Sequence, residues 1–223
     1  MNIFRTLTVP DLFSLLNALF GFSAVLMALK GSIYLSILFV LFAAVADGLD
    51  GFMARRMGNS VLGANLDSLA DLVSFGVAPA AMAFATFDKS DTIWATCSVF
   101  LLCGVLRLAR FNIAPKSSQF FEGLPITASG TVVSVSLLLN SLSMTLFLIV
   151  LLSGLMVSGV PYPKVRDYRI ISALILTLLV AGSLYRYGQG YSAKLIFLAL
   201  VAYLVSPVVI SCIQRGRCIQ RGR

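Results

Sequence analysis

The sequence predicts an all-α integral membrane protein, a polytopic bundle of about eight transmembrane helices with amino and carboxy termini in the cytoplasm. Composition is the first observation: 59% of the 223 residues are hydrophobic and the mean hydropathy is +0.95, far above a soluble domain. The second is the succession of apolar runs, most near the roughly 20 residues a helix needs to cross a bilayer. The third is the placement of basic residues. With eight spans threaded from a cytoplasmic amino terminus, Arg5, Arg55, Arg56, Arg107, Arg110, Lys116, Lys164, Arg166, Arg169, Arg215, Arg217, Arg221 and Arg223 lie inside. Only Lys30, Lys89, Arg186 and Lys194 lie outside, thirteen against four, and nine against four without the tail. That is the positive-inside bias, and such residues also attract anionic membrane lipids. The net charge of +8 is therefore a topology signal, and no nucleic-acid partner is expected.

The first span, about residues 11–29, follows Arg5, Pro10 and Asp11 without the pattern of a cleavable signal peptide. Spans at about 32–54, 63–87 and 92–113 come next. Those at about 125–139 and 143–159 are short, and the break between them, residues 140–143, is weak. They read as a hydrophobic hairpin or as something less regular. Pro161 and Pro163 terminate the sixth span, because proline cannot continue the helical ladder. Spans at about 168–185 and 192–213 rest on hydropathy alone. Residues 1–223 read as a single membrane domain. The duplicated CIQRGR of residues 212–223 is either a late duplication or an artefact and stays outside the site argument. Cys97, Cys103, Cys212 and Cys218 show no metal-ligand spacing or disulfide framework.

Four of the nine acidic residues, Asp47, Asp50, Asp67 and Asp71, fall within 25 residues. On a helix Asp47, Asp50, Gly51 and Ala54 share one face, and Gly63, Asp67 and Asp71 form another stripe. One stripe closes the second span and the other opens the third, so both meet at one membrane depth. Each charge in a span costs at least ~2.5–3.5 kcal/mol, and no Lys or Arg lies between Lys30 and Arg55. Bound cations resolve the repulsion, and grouped carboxylate oxygens suit Mg²⁺, Mn²⁺ or Ca²⁺. The small residues Gly51, Ala54 and Gly63 leave a cavity beside the carboxylates, although such residues also serve close helix packing.

The two segments DGLDGFMAR (47–55) and GANLDSLAD (63–71) resemble the signature of the CDP-alcohol phosphotransferases, Asp-x2-Asp-Gly-x2-Ala-Arg, a linker, then Gly-x3-Asp-x3-Asp. All eight positions are present: Asp47, Asp50, Gly51, Ala54, Arg55, Gly63, Asp67 and Asp71. The seven-residue linker, one shorter than usual, reads as an inter-helix turn through Gly58 and Asn59. LDSLADLVSFGVAPA (66–80), LRLARFN (106–112), FEGLPITASG (121–130) and LMVSGVPYPK (155–164) further resemble the phosphatidylserine synthase branch, and LTVPDLFSLLNALFG (7–21) its first span. Asp11 stands where that branch has Asn; either residue can cap a helix. Beyond about residue 165 no motif is recognised.

The resemblance implies a reaction and its residues. CDP-diacylglycerol, or its ether-linked counterpart CDP-archaeol, would place its diphosphate over two divalent cations, Mg²⁺ or Mn²⁺, with Ca²⁺ a further occupant. The hydroxyl of L-serine would attack the lipid-bearing phosphorus and CMP would leave. Asp47, Asp50, Asp67 and Asp71 would hold the metals, with Asp71 also the catalytic base. CDP-lipid binding would fall to Asp47, Asp50, Gly51, Ala54, Arg55 and Gly63. Two ions would neutralise four carboxylates, leaving Arg55 to meet the diphosphate. The chain contains no histidine, which removes the commonest general base and a histidine phosphoenzyme. Serine carries a carboxylate, so its site wants a fixed cation; Arg107 and Arg110 qualify, or serve only as inner-face anchors. Asn112, Glu122 and Lys164 are weaker candidates. The resemblance also implies a homodimer in the cell membrane with its site facing the cytoplasm. Three alternatives stay open: the same chemistry on another acceptor, glycerol phosphate or inositol phosphate; a cation or proton transporter using the aspartates; and, third, a purely structural membrane protein.

Overall fold

The computed structural model describes residues 7–57, 60, 62–87, 90–113, 120–159 and 161–163. Helices α1 (Val9–Leu29), α2 (Ile33–Met57), α3 (Gly63–Asp71), α4 (Ala78–Thr86), α5 (Asp91–Ile113), α6 (Ile126–Ser136) and α7 (Leu142–Val157) follow in order. A π-helical segment, Leu72–Val77, joins α3 to α4, and a 3-10 turn, Leu137–Leu139, closes α6. Four continuous helices are long and apolar enough to cross a membrane: Val9–Leu29, Ile33–Met57, Gly63–Thr86 and Asp91–Ile113. The expected fifth and sixth spans are present as shorter apolar helices, Ile126–Leu139 and Leu142–Val157. Those expected at 168–185 and 192–213, like Lys164 and the tail, lie outside the described residues.

Local chemistry explains the breaks. Helix α1 opens on Thr8, whose backbone N–H donates to Asp11 Oδ2 at 2.6 Å and whose hydroxyl donates to the same oxygen at 2.9 Å. Asp11 thus occupies the acidic third position of a capping box. The helix ends at Gly31, φ 76°, with Gly31 N–H bonded to Ala28 and Ser32 N–H to Met27. Only glycine enters that left-handed region freely, and the paired bonds satisfy carbonyls at the helix end. Asn140, φ 47°, performs the corresponding turn between α6 and α7, so the weak break in the sequence is a true hairpin corner. One antiparallel pairing accompanies the helices among the described residues: Phe120–Glu122 aligns with Pro161–Pro163. It ties the entry to α6 to the exit from α7.

The π segment has an identifiable cause. Pro79 has no N–H for the Phe75 carbonyl, and its ring displaces that carbonyl. Ala78 N–H reaches back instead to Val73. Gly130 of α6 lies over the Phe75 backbone, where an added Cβ would stand 2.3 Å from the carbonyl oxygen. Helix α6 is accordingly buried along nearly its whole length, from Ile126 through Ser136. On the other side, Ala24 and Ala28 of α1 are buried with Val40, Ala43 and Ala44 of α2 in one core. Small residues let the two backbones approach closely, and Ser36 of α2 donates to the Ala24 carbonyl at 2.8 Å.

Candidate active site

Helix α2 brings Asp47 and Asp50 to its last turns, and α3 presents Asp67 and Asp71 one turn apart. Asp47, Asp67 and Asp71 converge, each offering a carboxylate oxygen within 4.8 Å of the others'. Asp50, 7% exposed, stands beside this trio, and its Oδ2 accepts the Ser14 hydroxyl from α1. Four clustered aspartates were expected; the structure gathers three in one coordination-sized group and holds the fourth against a serine of α1.

Three neighbours offset part of the electrostatic cost of that trio. Thr127, in the first turn of α6, faces Asp47 Oδ2 at 3.4 Å. Asn17 of α1 donates its amide N–H to Asp71 Oδ1 at 3.1 Å. The cation within electrostatic reach is Arg107, 8% exposed and felt by Asp71, Asp47 and Asp67. Among the described residues Arg107 makes no salt bridge; its guanidinium lies 5.3 Å from the Phe111 ring centroid. Asn17 Oδ1 is the one buried side-chain atom left without a partner among the described residues. Three convergent carboxylates and an orphaned amide oxygen, with only one guanidinium within electrostatic reach, fit a hard divalent cation: the donors are all oxygen, and the negative charge exceeds the positive.

The remaining sequence candidates fall in different places. Arg55 is exposed at the end of α2, its Nη1 3.5 Å from where a Cβ on Gly51 would stand, so it lies over the Gly51 face. Ala54 is half-buried on the same helix. Gly63 is used for packing: an added Cβ would meet Asp11 Oδ1 and Ser60 Oγ, both at 3.2 Å. Ser60 itself donates to Asp11 Oδ1 at 2.9 Å, tying the α2–α3 linker to α1. Arg110 is anchored, donating to the Val157 carbonyl at 2.6 Å and to that of Ser158 at 3.2 Å. These carbonyls sit at the end of α7, where the helix supplies no donors of its own. Asn112 accepts from Ser68 at 2.9 Å, and with Asn65 it borders a cavity of about 350 Å³ between α3 and α5. Glu122 lies in the short extended pairing.

Ser14, Asn17 and Thr127 were not singled out by the sequence reading. A signal for the first two exists: Asp11, Ser14, Asn17 and Gly21 recur at intervals of three and four in an otherwise apolar span.

Fold and site together define a membrane-embedded enzyme of the kind that uses carboxylate-bound divalent cations. The family model of CDP-alcohol phosphatidyltransferase matches residues 7–179, and the chain belongs to that family. Similar proteins include the archaetidylserine synthase of Methanothermobacter thermautotrophicus, 36% identical over 165 residues, 71% of each chain. The CDP-diacylglycerol–serine O-phosphatidyltransferase of Methanocaldococcus jannaschii is 39% identical over 185 residues, 81% of this chain and 87% of its own. The enzyme of that name from Helicobacter pylori is 31% identical over 214 residues, covering 90% and 89%. Membership decides between enzyme and transporter in favour of the enzyme, and the match runs past the last motif legible near residue 164.

Proposed function

We propose that this enzyme transfers the phosphatidyl group of CDP-diacylglycerol, or the corresponding group of CDP-archaeol, to the hydroxyl of L-serine and releases CMP. The observation that carries the reading is the convergence of Asp47, Asp67 and Asp71 beside a buried Arg107 that has no ion pair among the described residues. The names of the relatives from Methanothermobacter and Methanocaldococcus support serine as the acceptor. A buried guanidinium wants an anion with two oxygens, and the serine carboxylate supplies one. Arg110 and Asn112 already have protein partners, so Arg107 is the favoured serine contact.

Asp71 takes the proton of the serine hydroxyl as its oxygen attacks the lipid-bearing phosphorus. The bond from that phosphorus to the bridging diphosphate oxygen breaks, and its electron pair leaves with CMP. Asp47, Asp50, Asp67 and Asp71 would hold two divalent ions, Mg²⁺ or Mn²⁺, which when bound neutralise the diphosphate and the departing phosphate. Arg55 meets the diphosphate from the end of α2, while Gly51 and Ala54 leave space for the nucleotide. Gly63 contributes by letting α3 seat against Asp11. The inner-face excess of basic residues supports a cytoplasmic entrance for serine. Eight spans and a homodimer complete the proposal.

The test is an acceptor screen. Detergent-solubilised enzyme receives CDP-diacylglycerol or CDP-archaeol with radiolabelled serine, glycerol phosphate or inositol phosphate. Serine should yield a lipid product with one CMP per turnover. A lipid product from another alcohol and none from serine would overturn the assignment.

A further inference from the structure

We infer that helix α1 is part of the catalytic apparatus, with Asn17 the positioning residue for Asp71 and Ser14 that for Asp50. The inference rests on the proposed role of the four aspartates and adds to it the element that aims them. A carboxylate can rotate about its last bond, and a cluster binds a cation well only when its lone pairs already point inward. Hydrogen bonds from neighbouring groups fix that rotation, and removing such partners commonly weakens metal binding.

Asn17 is built for this task. It has no solvent exposure and is held at two points by the helix that carries Asp71. Its side-chain N–H donates to Asp71 Oδ1 at 3.1 Å, and its backbone carbonyl accepts the Ser74 hydroxyl at 2.8 Å. Ser74 lies in the π segment directly after Asp71. Gly21, one turn further along α1, permits the contact: a Cβ there would stand 2.2 Å from Ser74 Oγ and 2.6 Å from Ser74 Cα. An ionised carboxylate only accepts, so the amide must turn its nitrogen to Asp71 and its oxygen away. That oxygen has no partner among the described residues. A purely structural asparagine would satisfy both ends of its amide; this one completes its bonding when the site is filled. Ser14, one turn earlier and 1% exposed, donates to Asp50 in the same manner.

The experiment measures Mn²⁺ affinity by electron paramagnetic resonance on the substrate-free protein, alongside kcat, KM and thermal unfolding. Asn17→Leu keeps the volume and removes the N–H; Asn17→Ser is the milder variant, and Ser14→Ala is paired with Ser14→Thr. Asn17→Leu and Ser14→Ala should weaken Mn²⁺ binding roughly 10- to 100-fold and lower kcat while KM for the CDP-lipid changes little. Ser14→Thr, which retains the hydroxyl, should remain near the wild type. Ser23→Ala, whose hydroxyl only bonds back to Leu19, should change nothing. Folded Asn17 variants that bind Mn²⁺ as tightly as the wild type would overturn the inference while leaving the metal site intact. A wild-type protein that binds no Mn²⁺ would overturn the metal reading itself and this inference with it.

Discussion

At the residue scale the acidic groups divide into a convergent trio and a fourth member bonded to α1. Asp47 and Asp71 sit on different helices yet bring carboxylate oxygens within 4.8 Å of each other and of Asp67. Such a set is tolerable when cations offset it, and in the proposed mechanism the proton-accepting role falls to Asp71, to which Asn17 donates. Asp71→Asn should therefore lower the rate of CMP release by about 10²-fold or more, the usual size of a lost general base, with the protein still folded. Arg107 answers a different question. If its guanidinium receives the serine carboxylate, Arg107→Ala should raise KM for serine about 10- to 100-fold, the size expected for a lost charge-assisted bond of about 1.5–3 kcal/mol. KM for the CDP-lipid should move far less. Equal increases in both would assign Arg107 to general maintenance of the site. The aspartates were legible because four acids in an apolar stretch demand an explanation. Ser14, Asn17 and Thr127 were not, because a lone hydroxyl or amide in a span is ordinary until its partner is known.

At the element scale the bundle is arranged so that several helices aim at one point. Helix α1 supplies hydrogen bonds, α2 and α3 supply carboxylates, α5 supplies Arg107, and α6 begins with Thr127 against Asp47. The π segment after Asp71 is what seats α6. Pro79 frees the Phe75 carbonyl, and Gly130 is the residue small enough to lie over it. Gly130→Val places branched atoms where even a Cβ would be 2.3 Å from that oxygen. It should destabilise the protein by about 1–3 kcal/mol or more, the range for overpacking a tight core, read as a fall in the thermal unfolding midpoint in detergent. Gly154, with no atom of the described residues within 4 Å of its Cβ position, is the matched control: Gly154→Ala should leave the midpoint nearly unchanged. The boundaries of the first six apolar helices were legible to within a few residues, since apolar run length and capping chemistry are local properties. The π segment was not predicted, although Pro79 was in plain view, because a proline alone does not say whether a helix breaks, kinks or widens.

At the scale of the whole molecule, charge placement and cation binding are the properties to test. If the positive-inside reading holds, the α1–α2 turn and the α2–α3 linker face opposite sides of the membrane. In a background with the four native cysteines replaced, Lys30→Cys and Arg56→Cys should label with a membrane-impermeant maleimide from opposite faces of sealed vesicles. Labelling of both from one side would reject the threading. Chelation should abolish turnover, and Mg²⁺ or Mn²⁺ should restore it. Because a ligand that binds only the folded state stabilises it, the same ions should also raise the unfolding midpoint of the wild type. They should raise it less in Asp67→Asn, which removes one carboxylate of the trio.

The sequence by itself determined that the chain is a helical membrane protein, which family it resembles, and that four aspartates would be drawn together near one end of the second and third spans. These are consequences of composition and of spacing along single helices, where 3.6 residues per turn settles what shares a face. Tertiary structure alone decided that three of the four carboxylates form the cation-sized group, that α1 and Thr127 reach them, and that Gly63 makes room for Asp11 rather than for open space. Those facts depend on how separate helices rotate and approach, which is governed by packing among residues distant in the chain and leaves no local periodic trace.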